Sequence, residues 1–403
     1  MKLQLRHPAI SLILVQTLSS MRDVPQFTFF LIYLQEQIGL TPIMISSVVA
    51  GAQLSSTVLA LLGGAITMRL GSKWVLALGL MLAGLSSLVF QTHILWLLVL
   101  LWLVSGAGGA MLNVGGASYL TRLGGRGALG TLSAFYVLSM TIGGALGNPI
   151  AGVVIEGRGY AALGWAVMGV TVIALAIVAW LMPNPTPKSA TVPDLPPNAA
   201  VALPAPHRTK RLLMGMRCLP TLFYGMLSVL VPLMLNDLSG SKVMVAAYGT
   251  STLVVASITQ LLAGRAADRW GARGPTLFAY AVLVVVGLGL AFNTQSVVGL
   301  FGFGVMGIAA AWALSALMFV WVADGIPKTH HPSTFGALHA VWSLSMIGGS
   351  LFGSWLMGIG AALPFLLFGL LNVGSMFLAL AYYGWRVRKI NQISSYTESD
   401  QLN

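Results

Sequence analysis

Two ionisable side chains stand side by side inside a long apolar run, Met21-Arg22-Asp23-Val24-Pro25. A later run carries Met216-Arg217-Cys218-Leu219-Pro220, the same M-R-x-x-P pattern with a cysteine in place of the acid. A charge in apolar surroundings costs about 3 kcal/mol on insertion scales and reads as functional by default. The chemistry on offer is specific. A guanidinium pairs with carboxylate or phosphate through a fork of N–H donors, and a carboxylate there can take up and release a proton as its surroundings change. Gln16, Ser19, Ser20, Asp23 and Gln26 recur at three-to-four spacing, one polar stripe that is expected to face an aqueous cavity rather than lipid. Adjacent helical positions point about 100° apart, so Arg217 reads as a more natural partner for Asp23 than Arg22 does.

Three further groups join this set. Arg217, Thr221, Tyr224 and Ser228 make a polar face on the second M-R-x-x-P segment. Arg217 lies only a turn or two from the end of its apolar run, so a snorkelling headgroup is the alternative to a site role. His339 shares a face with Ser343 and Met346 and lies beside Trp342; a buried histidine is more often a neutral hydrogen-bonded group, which makes it the second proton candidate after Asp23. Solute contacts are expected from Arg22, Gln26, Arg217, Thr221, Tyr224 and Trp342, with Asn113, Tyr136, Tyr248, Gln260 and Trp312 as weaker candidates; the aromatics among these are as readily explained by packing.

Elements of one kind must hold these groups. Of 403 residues 57% are hydrophobic and 7% charged, far from the balance of a soluble domain. Apolar stretches near the length of about 20 residues needed to cross a bilayer recur over 9–35, 41–68, 74–91, 94–120, 128–155, 160–182, 212–236, 244–267, 275–292, 296–323, 333–358 and 361–385. Each is expected to be helical, because an unpaired amide in hydrocarbon is expensive. The predicted class is an all-α membrane protein with twelve transmembrane helices. The first stretch contains Arg22 and Asp23 and is too long for the apolar core of a cleavable signal. One cysteine, Cys218, excludes a disulfide framework.

The formal net charge of +12 invites a nucleic-acid reading, but the distribution argues otherwise. With the N-terminus inside, the basic residues outside the spans fall on the cytoplasmic face, all but Arg158 and Lys242. That is the positive-inside asymmetry, and it places both termini in the cytoplasm. Glu36, Glu156 and Asp237 mark the opposite helix ends and read as solvated.

The chain also repeats itself. LGTLSAFYVLSMTIGGALGNPIAG (Leu129 to Gly152) and FGALHAVWSLSMIGGSLFGSWLMG (Phe335 to Gly358) align without a gap, so that Gly143, Gly147 and Gly152 meet Gly349, Gly353 and Gly358. This predicts two pseudo-symmetric six-helix bundles, 1–182 and 212–386. Between them lies a cytoplasmic linker, 183–211, whose eight prolines favour an extended chain. A polar tail, 387–403, is expected to fray.

Two short basic loops then narrow the reading. Gly264 to Arg273 reads GRAADRWGAR, and Gly64 to Lys73 reads GAITMRLGSK. Both resemble the G-x-L-A-D-R-x-G-R-K loop of the major facilitator superfamily, which implies its twelve-helix, two-bundle fold. In that family the acid clamps neighbouring helix ends on the cytoplasmic side. Here Asp268 keeps it and Met68 replaces it, so the resemblance implies a gate of Asp268 with Arg269 and Arg69, and Asp324 meeting the basic loop near Arg269. Gly143, Gly147, Pro149 and Gly152 resemble the G-x-x-x-G-P-x-x-G motif of proton-coupled exporters, with Asn148 inserted. Physically, such glycines let helices approach backbone to backbone, and the proline adds a bend.

The resemblance implies a secondary active transporter working by alternating access, driven by a proton gradient through Asp23 and exporting a small organic solute, anionic or amphiphilic. An organic anion or organic phosphate exchanger is the alternative, and a transport-inactive receptor or scaffold the second. No enzyme chemistry, cofactor or metal is expected: His330 and His331 are adjacent without further ligands, and no G-x-x-x-x-G-K-[ST] loop occurs. The expected partners are the solute, protons and the lipid bilayer, with no nucleic acid. The expected state is a monomer in a bacterial inner membrane.

Overall fold

A backbone crossing hydrocarbon must satisfy its amides within itself. The computed structural model of the protein does so with helices, and it describes residues 7–123, 129–183, 206–326 and 331–400. They form α1 (His7–Glu36), α2 (Pro42–Leu70), α3 (Ser72–Leu85), α4 (Leu95–Leu123), α5 (Leu129–Leu181), α6 (Pro206–Ser239), α7 (Lys242–Trp270), α8 (Arg273–Phe292), α9 (Val297–Gly325), α10 (His331–Ile359) and α11 (Leu363–Asp400). A 3-10 segment, Ser86–Gln91, extends α3. By length and composition ten of these helices are able to cross a membrane, and α1, with its polar stripe, is not among the ten. The chain is a multi-pass membrane protein.

Three boundaries differ from expectation. The fifth and sixth stretches merge into the 53-residue α5, interrupted at Gly159 alone (φ 79); with no proline between them, one left-handed glycine suffices as the connection. The polar tail continues α11 to Asp400, since Arg386 to Asp400 holds neither glycine nor proline to stop a helix. The α6 helix begins at Pro206, inside the expected linker, because proline is well tolerated in a first turn. The rest of that linker, 184–205, lies outside the described residues, as does His330.

The glycines of the two basic loops have a conformational cause. Gly71 (φ 84) separates α2 from α3, and Gly271 (φ 77) separates α7 from α8. Each lies in the left-handed region where a side chain is strained, so each helix pair turns within one or two residues.

The helices cluster into two compact units: Met1–Asp194 with Val229–Val254, and Leu195–Ser228 with Val255–Asn403. In the first unit α1 lies along α5 at backbone distance. A Cβ added at Gly143 would sit 2.1 Å from the Thr17 carbonyl oxygen, and one at Gly147 2.2 Å from that of Met21. Gly152 lies instead against α7, at Ala246 and Lys242, while Pro149 is exposed. Leu12, Leu80, Tyr119 and Val178 form its apolar centre. In the second unit the repeat's Gly349 meets the Leu222 carbonyl of α6, where a Cβ would lie 2.0 Å from the oxygen. Tyr280 donates to the Met216 carbonyl at 2.8 Å, tying α8 to α6.

Candidate functional site

The first charged group is built on α1 and sealed by α5. Arg22 is 1% exposed; its Nη1 donates to Thr171 Oγ1 at 3.4 Å and its Nη2 to Asp23 Oδ1 at 2.5 Å, while Nε is buried with no partner. The Asp23 side chain is 41% exposed. Arg22 is therefore the acid's partner, against the expectation drawn from helical angles: a long guanidinium folds back around the helix to reach its neighbour. The stripe around it is mostly shut in. Ser19, Ser20 and Gln26 are buried, and Gln26 donates to Ser86 Oγ at 2.7 Å. The close α5 backbone at Gly143 covers Ser20. Arg22 and Gln26 are thus buried against protein and bonded within it.

The second charged group opens onto space. Arg217, Pro220, Thr221, Tyr224, Gln260, Ala311, Trp312, Ser315, His339 and Trp342, on α6, α7, α9 and α10, line a cavity of about 270 Å³. Arg217 Nη1 donates to Ser315 Oγ at 2.7 Å, and Ser315 passes its own hydrogen to the Ala311 carbonyl at 3.2 Å. Arg217 Nε has no partner. Thr221 turns its hydroxyl to the Arg217 carbonyl, 2.7 Å away. Gln260 Nε2 donates to the Trp312 carbonyl at 3.3 Å, and the Trp312 indole donates to the Tyr224 hydroxyl. His339 stacks on Trp342 with ring centres 5.6 Å apart and planes 21° apart. Among the described residues the wall is a cation with aromatic neighbours and no carboxylate.

Seven expected residues therefore meet here: Arg217, Thr221, Tyr224, Gln260, Trp312, His339 and Trp342. Arg217 does not snorkel away. Ser315 was missed by sequence reasoning, although its place three residues after Trp312, on the same α9 face, would have suggested it. Asn113 is exposed, whereas Tyr136 lies in the first unit's apolar cluster, its hydroxyl buried without a partner. Among the described residues, no three His, Cys, Asp or Glu side chains are grouped to hold a metal.

Glu36, Glu156 and Asp237 are exposed, and each also holds protein partners. Glu36 accepts from Asn236 Nδ2 and the Tyr160 hydroxyl, each at 2.8 Å, and from Lys242 Nζ. Lys242 also donates to Asn236 Oδ1 at 2.6 Å. Burial works to raise the Glu36 carboxyl, but these donors outweigh it and hold the group below the usual carboxylate range. Gln35 donates to Asp237 at 3.0 Å, and Glu156 accepts from Ser241 Oγ and the Val243 amide, both at 3.0 Å. The distance in sequence between α1 and the α6–α7 turn hid this cluster. At the other helix ends Arg69, Asp268, Arg269 and Asp324 are exposed; Arg269 lies over the Trp270 ring, 5.7 Å from its centre.

Comparison with known proteins places this arrangement. The model of the Major Facilitator Superfamily matches residues 9–225 and again 213–398. No curated protein matches the sequence. Among solved structures, the D323A mutant of the nucleoside transporter NupG superposes with a TM-score of 0.74 at 14% identity, covering 93% of this chain and 99% of its own. A bacterial homologue of the human lysosomal transporter Spinster, inward-facing and occupied, superposes with 0.71 at 16% identity, covering 94% and 96%. At such identities the likeness speaks for the fold.

Proposed function

This chain belongs to the major facilitator superfamily, and on that premise we propose that it is a proton-coupled exporter of a small organic solute. Secondary transport of a small solute, without enzymatic chemistry, is the activity of the family. The finer reading is ours. It takes the two arms of α5 as separate spans, giving twelve helices in bundles 1–182 and 212–386. The linker 183–211 and tail 387–403 join both termini on the cytoplasmic side of a bacterial inner membrane. The protein acts as a monomer, with the Arg217 cavity as the solute site. Asp268 and Arg269 engage neighbouring helix ends when the cytoplasmic side closes.

The observation that carries proton coupling is the exposure difference between Asp23 and Arg22. The acid is open enough to exchange a proton, and its cationic partner is sealed. Protonating Asp23 removes the negative charge and leaves Arg22 buried and unpaired, which is costly. The two protonation states therefore favour different arrangements around α1, and a differential of this kind is what lets a gradient bias a conformational equilibrium. His339, on the cavity wall, is the second candidate.

The test is accumulation of labelled compound pools in inside-out vesicles with and without a proton gradient. Gradient-dependent accumulation is expected; accumulation unaffected by collapse of the gradient overturns the coupling.

A further inference from the structure

The Arg217 cavity holds a positive charge that no acidic side chain among the described residues balances. Resting on the transporter reading above, we infer that its solute is a monoanionic carboxylate attached to a flat, unsaturated ring. A guanidinium stays charged at any accessible pH. Arg217 uses one donor on a neutral hydroxyl, Ser315, and has a buried Nε without a partner. Among the described residues it forms no ion pair. A poorly solvated cation without a counter-ion is unfavourable, and a carboxylate entering the cavity relieves this with charge-assisted hydrogen bonds. A cationic solute meets repulsion at the same place.

The number of charges sets the valence. Among the described residues Arg217 is the one permanently charged side chain on the wall, so a carboxylate leaves the occupied site neutral while a phosphate dianion leaves it negative. The remaining wall sets the shape. Trp312, Trp342 and Tyr224 present rings, and the Trp312 indole N–H is already given to Tyr224, so these side chains offer faces more than donors. The His339–Trp342 stack extends the same planar surface. Aromatic faces favour flat, apolar partners in offset or edge contact. A hydrogen bond to a charged group is worth about 1.5–3 kcal/mol, which converts to a discrimination of roughly ten- to a hundredfold between a carboxylate and its neutral isostere.

The experiment measures equilibrium binding to the full-length protein in nanodiscs, with empty nanodiscs subtracting partition into lipid. The probes are 2-naphthoate, 2-naphthamide, 2-naphthylmethylammonium and 2-naphthyl phosphate. The expected order places 2-naphthoate at least about tenfold tighter than the amide, with the ammonium weakest. Arg217→Gln is expected to bring naphthoate to the level of the amide, and Arg217→Lys to keep part of the gap. Amide binding as tight as naphthoate overturns the proposal, as does a preference for the ammonium or the phosphate. The comparison among probes uses the parent protein alone, so it stands even if Arg217→Gln fails to fold. Flux is read separately in proteoliposomes. Naphthoate binding without flux sinks the transport reading and keeps the anion site; flux of neutral solutes with no carboxylate preference does the reverse.

Discussion

Arg22 and Asp23 are neighbours in sequence and bonded partners in space, with Nη2 2.5 Å from Oδ1, yet Arg22 is sealed inside the first unit and Asp23 is not. One side of this pair is set by packing against Thr171 on α5. The other keeps part of its side chain open to its surroundings.

Asp23→Asn keeps the shape and removes the titratable oxygen. Gradient-driven accumulation in proteoliposomes is expected to vanish, while equilibrium solute binding changes by less than about threefold, within roughly 0.7 kcal/mol. A variant that still concentrates solute with the parent's pH dependence would move the proton to His339.

Gly143 and Gly147 carry no side chain because α1 leaves no room for one. A Cβ at either would come within 2.2 Å of a carbonyl oxygen on α1, at Thr17 or Met21, and backbone in a packed helix yields little. Gly143→Leu is expected to cost about 3 kcal/mol, whereas Gly169→Ala, with nothing within 4 Å, should be nearly neutral. Thermal unfolding in detergent compares them, and equal melting of the two variants contradicts the close-packing account.

Glu36 is held in its charged form by Lys242, Asn236 and Tyr160. The sign of the linkage follows: a carboxyl depressed in the folded state adds stability above its unfolded value, about 4.3, and loses it as pH falls through the folded value. Glu36→Gln is expected to cost about 1 kcal/mol at pH 7.5, a figure already reduced for partial exposure. The gap between variant and parent should narrow on acidification toward pH 3. Melting curves that keep the same separation at both pH values would count against the ion pair as its source.

Asn148 is fully buried, and neither amide atom has a partner among the described residues. It faces Gly249, whose added Cβ would lie 2.6 Å from Asn148 Nδ2. An unpaired buried amide costs about 1–3 kcal/mol, so Asn148→Ala is expected to raise the melting temperature and, if another transport state satisfies the amide, to slow turnover. A lower melting temperature in the variant would show that the amide is bonded after all.

What the sequence determined by itself was local in origin. Most helices could be located because each satisfies its own backbone in hydrocarbon, so hydropathy and the turn glycines Gly71 and Gly271 mark them, although α1 is not among the ten apolar enough to cross and the fifth and sixth stretches run together in α5. The face shared by Arg217, Thr221 and Tyr224 was legible for the same reason, since helical periodicity alone puts them together. The tertiary structure decided which polar groups are open and which are closed. Gln26 shares the periodicity of Asp23 and Arg22 adjoins it in sequence, yet Ser86 and Thr171, from distant segments, cover them. Glu36 acquires Lys242 across 206 positions of chain. Burial is a property of the neighbours a helix finds, not of its own order of residues, and no spacing along α1 specifies which of its faces α5 will cover.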